Sequence, residues 1–377
     1  MTVPVLGIDL GTTNTVVAAV RGGHAASLTD EQGERLIPSI VSFRPDGKVL
    51  VGRDARRRRL LDPANTIYSV KRLIGRSWTS REVQKAKGRF PFELREGPGL
   101  APMVTARGES YTLPEVSAFV LTKARKLAES ALGGEAMRAV ITVPANFDDL
   151  QRAATKVAGR IAGLDVLRIL NEPTAAALAY GYGKGGSERI AVYDFGGGTF
   201  DLTLLDLAGN VFEVLATAGD SFLGGDDIDT AVAERMADAF LRQHRYDVRS
   251  DPSSFDRLRW AAEDLKKLLS TQDVARIAVE ELHHGEGGRP LGLEFTMTRS
   301  EFDQIAAPVV ARTFEVCSQA LDLAHLHSSD FDQILLVGGS TRTPLVRREV
   351  ERFFGRVPLS HLNPEEAVDI GASIQGA

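Results

Sequence analysis

Short apolar runs alternate along the chain with segments whose apolar residues recur at helical spacing. The apolar, β-branched runs predict strands at 3–10, 15–21, 138–144, 189–196, 200–207 and 333–338. Apolar residues three and four positions apart predict helices at 114–132, 149–162 and 254–270. This alternation within each half of the chain indicates an α/β fold with mixed sheets.

One predicted helix is defined by an apolar row and a stop signal. Leu150, Ala153, Val157 and Ile161 are spaced so that they follow one side of the helix. Gly163 is the stop signal, because glycine readily adopts the left-handed conformation that ends a helix. The pattern predicts an amphipathic helix.

The segment VYDFGGGTFDLTLLDL at 192–207 passes from one apolar strand through three glycines into another. Glycine-rich turns expose backbone N–H groups that bind anions, phosphate above all. A helix follows the glycines in the dinucleotide and phosphate-loop motifs, whereas here the β pattern continues. The segment predicts a hairpin that wraps a phosphate, although a plain turn is the commoner role of such hairpins.

A second segment of the same design, VLGIDLGTTNTVVAAV, lies near the N-terminus. Asp9 aligns with Asp194 of the later hairpin, and Gly11 aligns with Gly196. The two aspartates are separated by about half of the 377-residue chain, so the pattern indicates an internal duplication. A duplicated hairpin predicts two related lobes that face one ligand.

The duplication and its interruptions predict the domain organisation. Two stretches carry more charged and turn residues than their surroundings, and we interpret them as subdomains inserted into the lobes. The predicted boundaries are lobe I at 1–188 (core 1–38 and 113–188 with a C-terminal helix at 357–377, inserted subdomain 39–112) and lobe II at 189–356 (core 189–223 and 306–356, inserted subdomain 224–305).

Acidic residues at the hairpin turns are candidates for a metal site. Asp9 and Asp194 follow strands and precede glycine turns, so both can reach a metal held by phosphates; Mg²⁺ prefers phosphate oxygens and water. Either aspartate alone is equally well explained as a turn residue, but their matched contexts favour the metal. Asp201 either joins a cation site or is a charge at a strand edge.

Two further glycine turns can contact a nucleotide. In LLVGGSTRTPLVRREV a strand leads into Gly338, Gly339 and Ser340 and then into a helix, whose N-terminus attracts anions. Arg342 follows this turn, and its planar guanidinium group can stack on a base. The segment LGGDDID at 223–229 either contacts a ribose or only caps a helix.

Lys71 and Glu172 can each be explained by an ordinary structural role or by a role in catalysis. Lys71 in YSVKRLIGR is most simply a solvated lysine, and the alternative is a lysine that reaches a phosphate during phosphoryl transfer. Glu172 in NEPTAAALAYG either complements a helix dipole or orders a metal-bound water. From the residues alone, Arg152 and Arg168 are explained as surface arginines.

Composition narrows the class of protein. Hydrophobic residues make up 43% and charged residues 25% of the chain, as in a globular protein, and the net charge of −5 argues against general nucleic-acid binding. Cys317 is the only cysteine, which excludes internal disulfides and suits a reducing cytosol. No secretory signal or membrane span is evident in the sequence. We expect a cytoplasmic protein that binds neither nucleic acid nor membrane.

One segment, ARRRRLL at 55–61, is strongly basic. A solvated helix face is the simplest explanation of such a run, and a patch that docks a partner is the alternative.

Seven segments occur in order along the chain: GIDLGTTNTVV, VKRLIGR, ITVPANFDDLQRAATKVAGRIAGL, NEPTAAALAYG, DFGGGTFDLTLL, GGDDID and VGGSTRTPLVR. Together they resemble the ATPase domain of the DnaK-type heat-shock chaperones, the seventy-kilodalton class, and VFEVLAT and RFFGR are similar to its bacterial DnaK and HscA members. The resemblance covers essentially the whole chain. It implies the actin-like fold: a duplicated, ribonuclease H-like pair of lobes, each a mixed sheet with flanking helices and an inserted subdomain, with ATP between them.

The resemblance also implies roles for residues at matching positions. Asp9 and Asp194 would organise Mg²⁺ through water, with Asp201 and Thr199 near the γ-phosphate and K⁺. Lys71 would orient the attacking water. The remaining implied roles are Glu172 in the metal–water network; ATP or ADP binding by Gly11, Thr12, Thr13, Asn14, Gly196, Gly197, Gly198, Thr199, Gly224, Gly225, Asp226, Glu263, Lys266, Lys267, Ser270, Gly338, Gly339, Ser340, Arg342 and Glu365; a relay to the interdomain surface by Pro144 and Arg152; and a J-domain contact by Arg168.

Three positions depart from the family's pattern. Lys267 stands where some relatives carry arginine, Asn146 replaces an aromatic residue, and Asp148 replaces a polar amide. The implied partners are a J-domain co-chaperone and a nucleotide exchange factor.

The sequence ends at AVDIGASIQGA, where Asn363 and Pro364 would open a last helix and Gly376 would lie near its end. In the family an apolar linker and a peptide-binding domain follow, so we expect unfolded clients to be held only by a domain outside this sequence. The expected function is a Mg²⁺-dependent ATPase that drives a chaperone. The alternative is a nucleotide-holding partner or exchange factor with little turnover.

Overall fold

The computed structural model describes residues 4–181, 186–209, 211–359 and 363–377. The strands are β1 (Val5–Leu10), β2 (Asn14–Arg21), β3 (His24–Ser27), β4 (Ile37–Pro38), β5 (Ile40–Phe43), β6 (Val49–Val51), β7 (Thr66–Tyr68), β8 (Glu93–Glu96), β9 (Pro102–Ala106), β10 (Glu109–Thr112), β11 (Arg138–Val143), β12 (Asp165–Asn171), β13 (Ser187–Phe195), β14 (Phe200–Ala208), β15 (Val211–Asp220), β16 (Val274–His284), β17 (Pro290–Thr298) and β18 (Gln333–Val337). The helices are α1 (Arg53–Arg58), α2 (Arg81–Ala86), α3 (Leu113–Leu132), α4 (Asp149–Ile161), α5 (Glu172–Gly181), α6 (Gly225–His244), α7 (Pro252–Leu269), α8 (Arg299–Ala324), α9 (Pro344–Phe354) and α10 (Ala367–Gly376). Across these described ranges, no helix combines the length and apolar character that a membrane span requires.

Two sheets of the same plan form the centre of the protein. In the first, β3, β2, β1, β11 and β12 lie in that order; β1 and β2 are antiparallel, and β11 is parallel to β1. In the second, β15, β14, β13 and β18 lie in that order; β13 and β14 are antiparallel, and β18 is parallel to β13. Asp9 pairs with Val16 and Asp194 with Asp201, so the two aspartates occupy equivalent positions. The predicted duplication is confirmed.

Along the chain, two groups of smaller elements are inserted between the elements that form the two lobes. Between β4 and α3 the chain forms two antiparallel sheets, β6-β5-β7 and β10-β9-β8. Between β15 and α8 it forms α6, α7 and the β16–β17 hairpin. These elements occupy the stretches that charge and turn residues set apart at 39–112 and 224–305. The domain boundaries themselves stay a prediction.

Two helices are packed between the central sheets. The alanines of α5 and α10 share one hydrophobic cluster with Val140 of the first sheet and Val192 of the second. A Cβ at Gly371 of α10 would lie only 1.7 Å from the carbonyl oxygen of Ala175 in α5. Glycine at this position therefore permits the close crossing that joins the lobes.

The last helix begins later than predicted. It starts at Ala367, whereas the predicted span began at residue 357 and the predicted opening residue was Asn363. The backbone N–H groups of Glu366 and Ala367 both bond to the carbonyl of Asn363, so the preceding residues form a turn. Residue 3 of the predicted first strand and residues 360–362 of the predicted C-terminal span lie outside the described residues.

Helix α4 ends one residue earlier than predicted, and its apolar row faces outward. Leu150 is 71% exposed, and Val157 and Ile161 are also exposed. The buried side instead contains small residues such as Gly159, where a Cβ would lie 2.4 Å from a methyl group of Val166. The expectation that this row packs like that of an ordinary amphipathic helix is wrong, because close approach to β12 requires small side chains.

Candidate active site

The two glycine turns of the hairpins meet between the lobes. A Cβ at Gly197 would lie 2.1 Å from Oγ1 of Thr13, and a Cβ at Gly198 would lie 2.7 Å from the methyl group of Thr12. Side chains at these two glycines would therefore collide with the opposite turn. The second turn is glycine-rich because the first turn approaches its bare backbone.

The second turn is also fixed to the start of α6 and to the turn after β18. The carbonyl groups of Gly196 and Gly197 accept hydrogen bonds from the backbone N–H groups of Gly225 and Asp226. The hydroxyl group of Ser340 donates to the Gly196 carbonyl at 2.8 Å. Three glycine turns predicted to contact one nucleotide thus lie side by side.

A cavity of about 790 Å³ opens between the lobes beside these turns. This volume lies within the range of small-molecule sites. The predicted site residues that line it are Asp9, Gly11, Thr12, Thr13, Asn14, Lys71, Glu172, Asp194, Gly196, Gly197, Thr199, Asp226, Glu263, Lys266, Lys267, Ser270, Gly338, Gly339, Ser340, Arg342 and Glu365. The predicted residues that do not line it are Gly198, Gly224, Gly225, Asp201, Pro144, Arg152 and Arg168.

Lys71 is buried in the wall of this cavity. Its Nζ donates to Oε1 of Glu172 at 2.5 Å, and the two side chains are 9% and 8% exposed. Asp9 and Asp194 line the same cavity, and the hydroxyl group of Thr142 donates to Oδ1 of Asp9 at 3.1 Å. The interpretation of Lys71 as a solvated lysine is wrong.

Burial and mutual repulsion favour protonation of these carboxyl groups. Burial raises the pKa of Glu172 to about 7; Lys71 opposes this shift and Asp9 adds to it. Burial, with the Glu172 and Asp9 carboxylates, raises the pKa of Asp194 well above its usual range, and burial raises that of Asp9. Burial lowers the pKa of Lys71, but Glu172 and Asp9 outweigh it and the net shift is upward. One ammonium group among three carboxyl groups leaves the cluster short of positive charge.

The cluster fits a divalent cation that is bound together with phosphates. Asp201 is 4% exposed and pairs with Asp194 in the hairpin, so it is not a charge at an exposed strand edge. Its Oδ1 is buried and has no hydrogen-bond partner among the described residues. Within the described ranges, no group of three histidine, cysteine, aspartate or glutamate side chains could hold a metal. The donor set suits Mg²⁺, which keeps water and phosphate oxygens as ligands while aspartates accept from its waters.

Two lysines of α7 also line the cavity, and we refer to them together with Glu263 and Arg342 as its charged end. Nζ of Lys266 donates to Oδ2 of Asp229 at 2.8 Å and to the carbonyl of Gly225 at 3.2 Å. Nζ of Lys267 donates to Oε1 of Glu263 at 2.6 Å, and its side chain is 53% exposed. Lys266 is therefore fixed within lobe II, whereas Lys267 borders open solvent.

Arg342 also lines the cavity, and it lies in the glycine turn that follows β18. Its Nη2 contacts Oε2 of Glu365 at 2.7 Å and Oδ1 of Asn363 at 2.8 Å. These contacts hold the turn that precedes α10 against the cavity. The side chain remains 50% exposed, so its planar group is accessible to a ligand.

A family model described as Hsp70 protein matches residues 5–377. This range contains both hairpins, the acidic cluster and the charged end of the cavity. The chain belongs to the Hsp70 family. Members of this family have the two-lobed, actin-like ATPase fold, and they bind and hydrolyse ATP. The predicted fold class is thereby confirmed.

Two residues that the Hsp70 resemblance places on a relay, Pro144 and Arg152, and one that it gives as a J-domain contact, Arg168, lie outside the cavity. Pro144 is buried directly after β11. Nη2 of Arg152 donates to Oδ1 of Asn171 at 2.8 Å and to the carbonyl of Ala145 at 3.2 Å, so Arg152 is not a free surface arginine. Arg168 is exposed on the edge strand β12. The relay and J-domain roles stay predictions.

The basic run of this Hsp70 chain spans the gap between the lobes. Nη2 of Arg56 donates to Oε2 of Glu263 at 2.8 Å. Arg59 donates to both oxygens of Asp256, at 2.7 and 2.6 Å, and its guanidinium carbon lies 3.8 Å from the centre of the Tyr68 ring. The interpretation as a solvated helix face is wrong for these two arginines, because they bind the opposite lobe of the same chain.

Some lining residues were missed in the sequence. They are Val16, Leu36, Asp229, Thr271, Val337, Thr343, Pro344, Arg347 and Pro364. Asp229 is the most consequential, since it is buried against Lys266 and burial raises its pKa to about 7. Its position in GGDDID, one turn after Gly225, was the available signal.

Proposed function

We propose that this chain binds ATP with Mg²⁺ between its lobes, hydrolyses it, and thereby changes lobe closure as the motor of a protein-folding chaperone. The observation that supports this most strongly is the buried Lys71–Glu172 pair beside Asp9 and Asp194 in the wall of the cavity. Phosphoryl transfer depends on positioned charge more than on covalent chemistry. This cluster supplies such charge at the point where both lobes contribute a phosphate turn.

The residues divide into three groups by the part of the reaction that they serve. Asp9 and Asp194 would accept from waters of Mg²⁺, which neutralises charge on the phosphates when bound. Lys71 would orient the attacking water and stabilise the charge that develops on the terminal phosphate. Thr12, Thr13 and Thr199 with the neighbouring glycine turns would hold the phosphates, and the residues at the charged end of the cavity would hold the adenosine.

Hsp70 proteins generally work with J-domain proteins and nucleotide exchange factors. We extend this to the present chain, with Arg168 as a J-domain contact and Asp201 near a K⁺ site. We also propose that it acts in the cytoplasm and is of the DnaK or HscA type. The single cysteine supports the cytoplasmic assignment, and the sequence segments quoted above support the other assignments.

Removal of Mg²⁺ tests the proposed site. We expect the affinity for ATP to fall at least about tenfold in EDTA, because the acidic cluster then repels the phosphates without a bridging cation. Asp194→Asn should reduce this dependence, since it removes one of the repelling carboxyl groups. Isothermal titration calorimetry with ATP gives both numbers. Equal affinity with and without Mg²⁺ would contradict the assignment.

The base pocket gives a second prediction. Lys267 and Arg342 would lie on opposite sides of the adenine, and only Arg342 can stack its plane on the ring. Arg342→Ala should therefore weaken ATP more than it weakens inorganic triphosphate, whereas Lys267→Arg should leave ATP binding intact or tighten it by at most about 1 kcal/mol. Competition binding measures both ligands. Equal losses for ATP and triphosphate on Arg342→Ala would rule out stacking.

The pKa of Glu172 predicts how stability depends on pH. A carboxyl group whose pKa is raised in the folded state binds more protons there than in the unfolded state, so stability falls as pH rises between the two values. Between about pH 4.5 and about pH 7.5, the unfolding free energy of the nucleotide-free parent should fall. In Glu172→Gln this fall should be smaller by up to about 3 kcal/mol. Urea unfolding measures it, with the exposed Glu135→Gln as the matched control. An unchanged slope in Glu172→Gln would show that the carboxyl group is not protonated on folding.

A further inference from the structure

We propose that Arg72 is a positioning residue of the hydrolysis site, which clamps the Gly196–Thr199 turn and the start of α6 against the turn that carries Lys71. This inference rests on the proposed function, because it assigns one more residue to the same reaction. No role was predicted for Arg72 from the sequence. Its contacts, however, connect the two lobes directly behind the phosphate turns.

The first contact is an ion pair between the lobes. Arg72 follows Lys71 in the same short helical turn. Its Nη2 donates to Oδ2 of Asp226 at 2.7 Å, and the Arg72 side chain is only 7% exposed. Arginine is seldom buried without a partner, and loss of one partner from a buried pair leaves an uncompensated charge. The position of Asp226 is thus coupled to the backbone that carries Lys71.

The second contact explains one glycine of the phosphate turn. A Cβ at Gly198 would lie 2.6 Å from Nε and 2.8 Å from Nη2 of Arg72. Gly198 does not line the cavity, so its missing side chain makes room for the Arg72 guanidinium group and the Thr12 methyl group rather than for a phosphate. Arg72 therefore packs on the outer side of the turn while the nucleotide would occupy its inner side.

The third observation is an unused donor. Nε of Arg72 is buried and has no hydrogen-bond partner among the described residues. A buried donor without an acceptor is costly. We infer that the turn shifts when phosphates bind and brings one of its backbone carbonyl groups to Nε. Arg72 then stabilises the phosphate-bound arrangement of the turn over the empty one.

An aromatic side chain completes the contact. Phe222 precedes α6 in lobe II, yet the residue is only 9% exposed and packs in the hydrophobic cluster of lobe I. The guanidinium carbons of Arg72 and Arg89 lie 5.5 and 5.8 Å from its centre. Apolar burial and cation–π attraction hold the same loop that Asp226 holds by charge. The loop before α6 is therefore held against lobe I both by charge and by packing.

A clamp of this kind affects the chemical step more than it affects nucleotide binding. In its absence the cavity still offers its other lining residues to ADP, but Lys71 and the phosphate turn are no longer held in fixed relation. Misplacement of about 1 Å can reduce a rate by about a hundredfold. Lysine cannot replace arginine here, because an ammonium group cannot both pair with Asp226 and lie flat against Gly198.

The test compares Arg72→Met and Arg72→Lys with Arg81→Met, an exposed arginine on α2. We expect single-turnover ATP hydrolysis to fall at least about tenfold in Arg72→Met and about fivefold in Arg72→Lys, with ADP affinity within about threefold of the parent. Arg81→Met should match the parent. Asp226→Asn should lower the rate as well, and adding it to Arg72→Met should lower it no further, because the pair acts as a unit.

Other outcomes would overturn the inference. If Arg72→Met hydrolyses ATP at the parent rate, or if ADP affinity falls in proportion to the rate, Arg72 has no positioning role. Full activity of Arg72→Lys would show that Arg72 supplies only a positive charge and would contradict the proposed clamp. If Arg72→Met does not fold, Arg72→Lys and Asp226→Asn carry the test. Failure of the parent to hydrolyse ATP would instead refute the proposed function, so the two failures are distinguishable.

Discussion

Lys71→Ala is expected to lower single-turnover ATP hydrolysis at least about a hundredfold, a loss of about 3 kcal/mol of barrier stabilisation. Among the residues that the structure describes, Lys71 is the ammonium group beside Glu172, Asp9 and Asp194, and its position is fixed by a 2.5 Å contact with Glu172. Its removal takes away the charge that would orient the attacking water. ATP should still bind, because the phosphate turns and the charged end of the cavity remain.

The control for this variant is Lys85→Ala, an exposed lysine on α2. It should hydrolyse ATP at the parent rate. Quenched single-turnover assays give the rate, and calorimetry confirms that ATP is bound. Hydrolysis by Lys71→Ala at the parent rate would mean that the acidic cluster holds a structural lysine and that the reaction occurs elsewhere.

Asp256→Asn is expected to accelerate release of ADP by about thirtyfold. Asp256 of lobe II accepts two hydrogen bonds from Arg59 of lobe I, and the two side chains are 6% and 15% exposed. Hydrogen bonds to charged groups contribute about 1.5–3 kcal/mol each when buried, and opening the lobes returns both groups to water. A net loss of about 2 kcal/mol from the closed state corresponds to the stated factor.

A second acid on the same helix provides the matched control. Asp264 lies 3.9 Å from Arg56 of lobe I but is 48% exposed, and such pairs contribute little. Asp264→Asn should change ADP release by less than about twofold. Stopped-flow displacement of a fluorescent ADP measures both variants. Equal release from the parent and from Asp256→Asn would show that the Arg59–Asp256 pair does not restrain lobe opening.

The parts of the fold that sequence predicted are those fixed by local chemistry. A phosphate turn needs glycine and a preceding strand within a few residues, so Asp9 and Asp194 could be matched directly. Their equivalence then predicted two sheets of one plan, which the strand order confirms. The Hsp70 family match over residues 5–377 agrees with this reasoning.

The parts that sequence did not predict depend on distant partners. Nothing near Arg59 indicates that Asp256, almost two hundred positions later, will neutralise it. For the same reason, the sequence around Lys71 is typical of a surface lysine, since only the folded chain brings Glu172 to it. In α4 the local pattern itself was misleading. Leu150 follows helical spacing with the other apolar residues of its row, but the side of the helix that packs on β12 carries small residues such as Gly159.

The claim that this site hydrolyses ATP is tested most directly by a single-turnover assay of the parent chain. Protein in excess over radiolabelled ATP would be followed with Mg²⁺ and K⁺ present, and with Mg²⁺ removed, while ADP and phosphate are separated by chromatography. We predict slow conversion of all bound ATP to ADP in the presence of Mg²⁺ and none in its absence. ATP that remains bound but intact under both conditions would contradict a motor and would favour a module that only holds nucleotide.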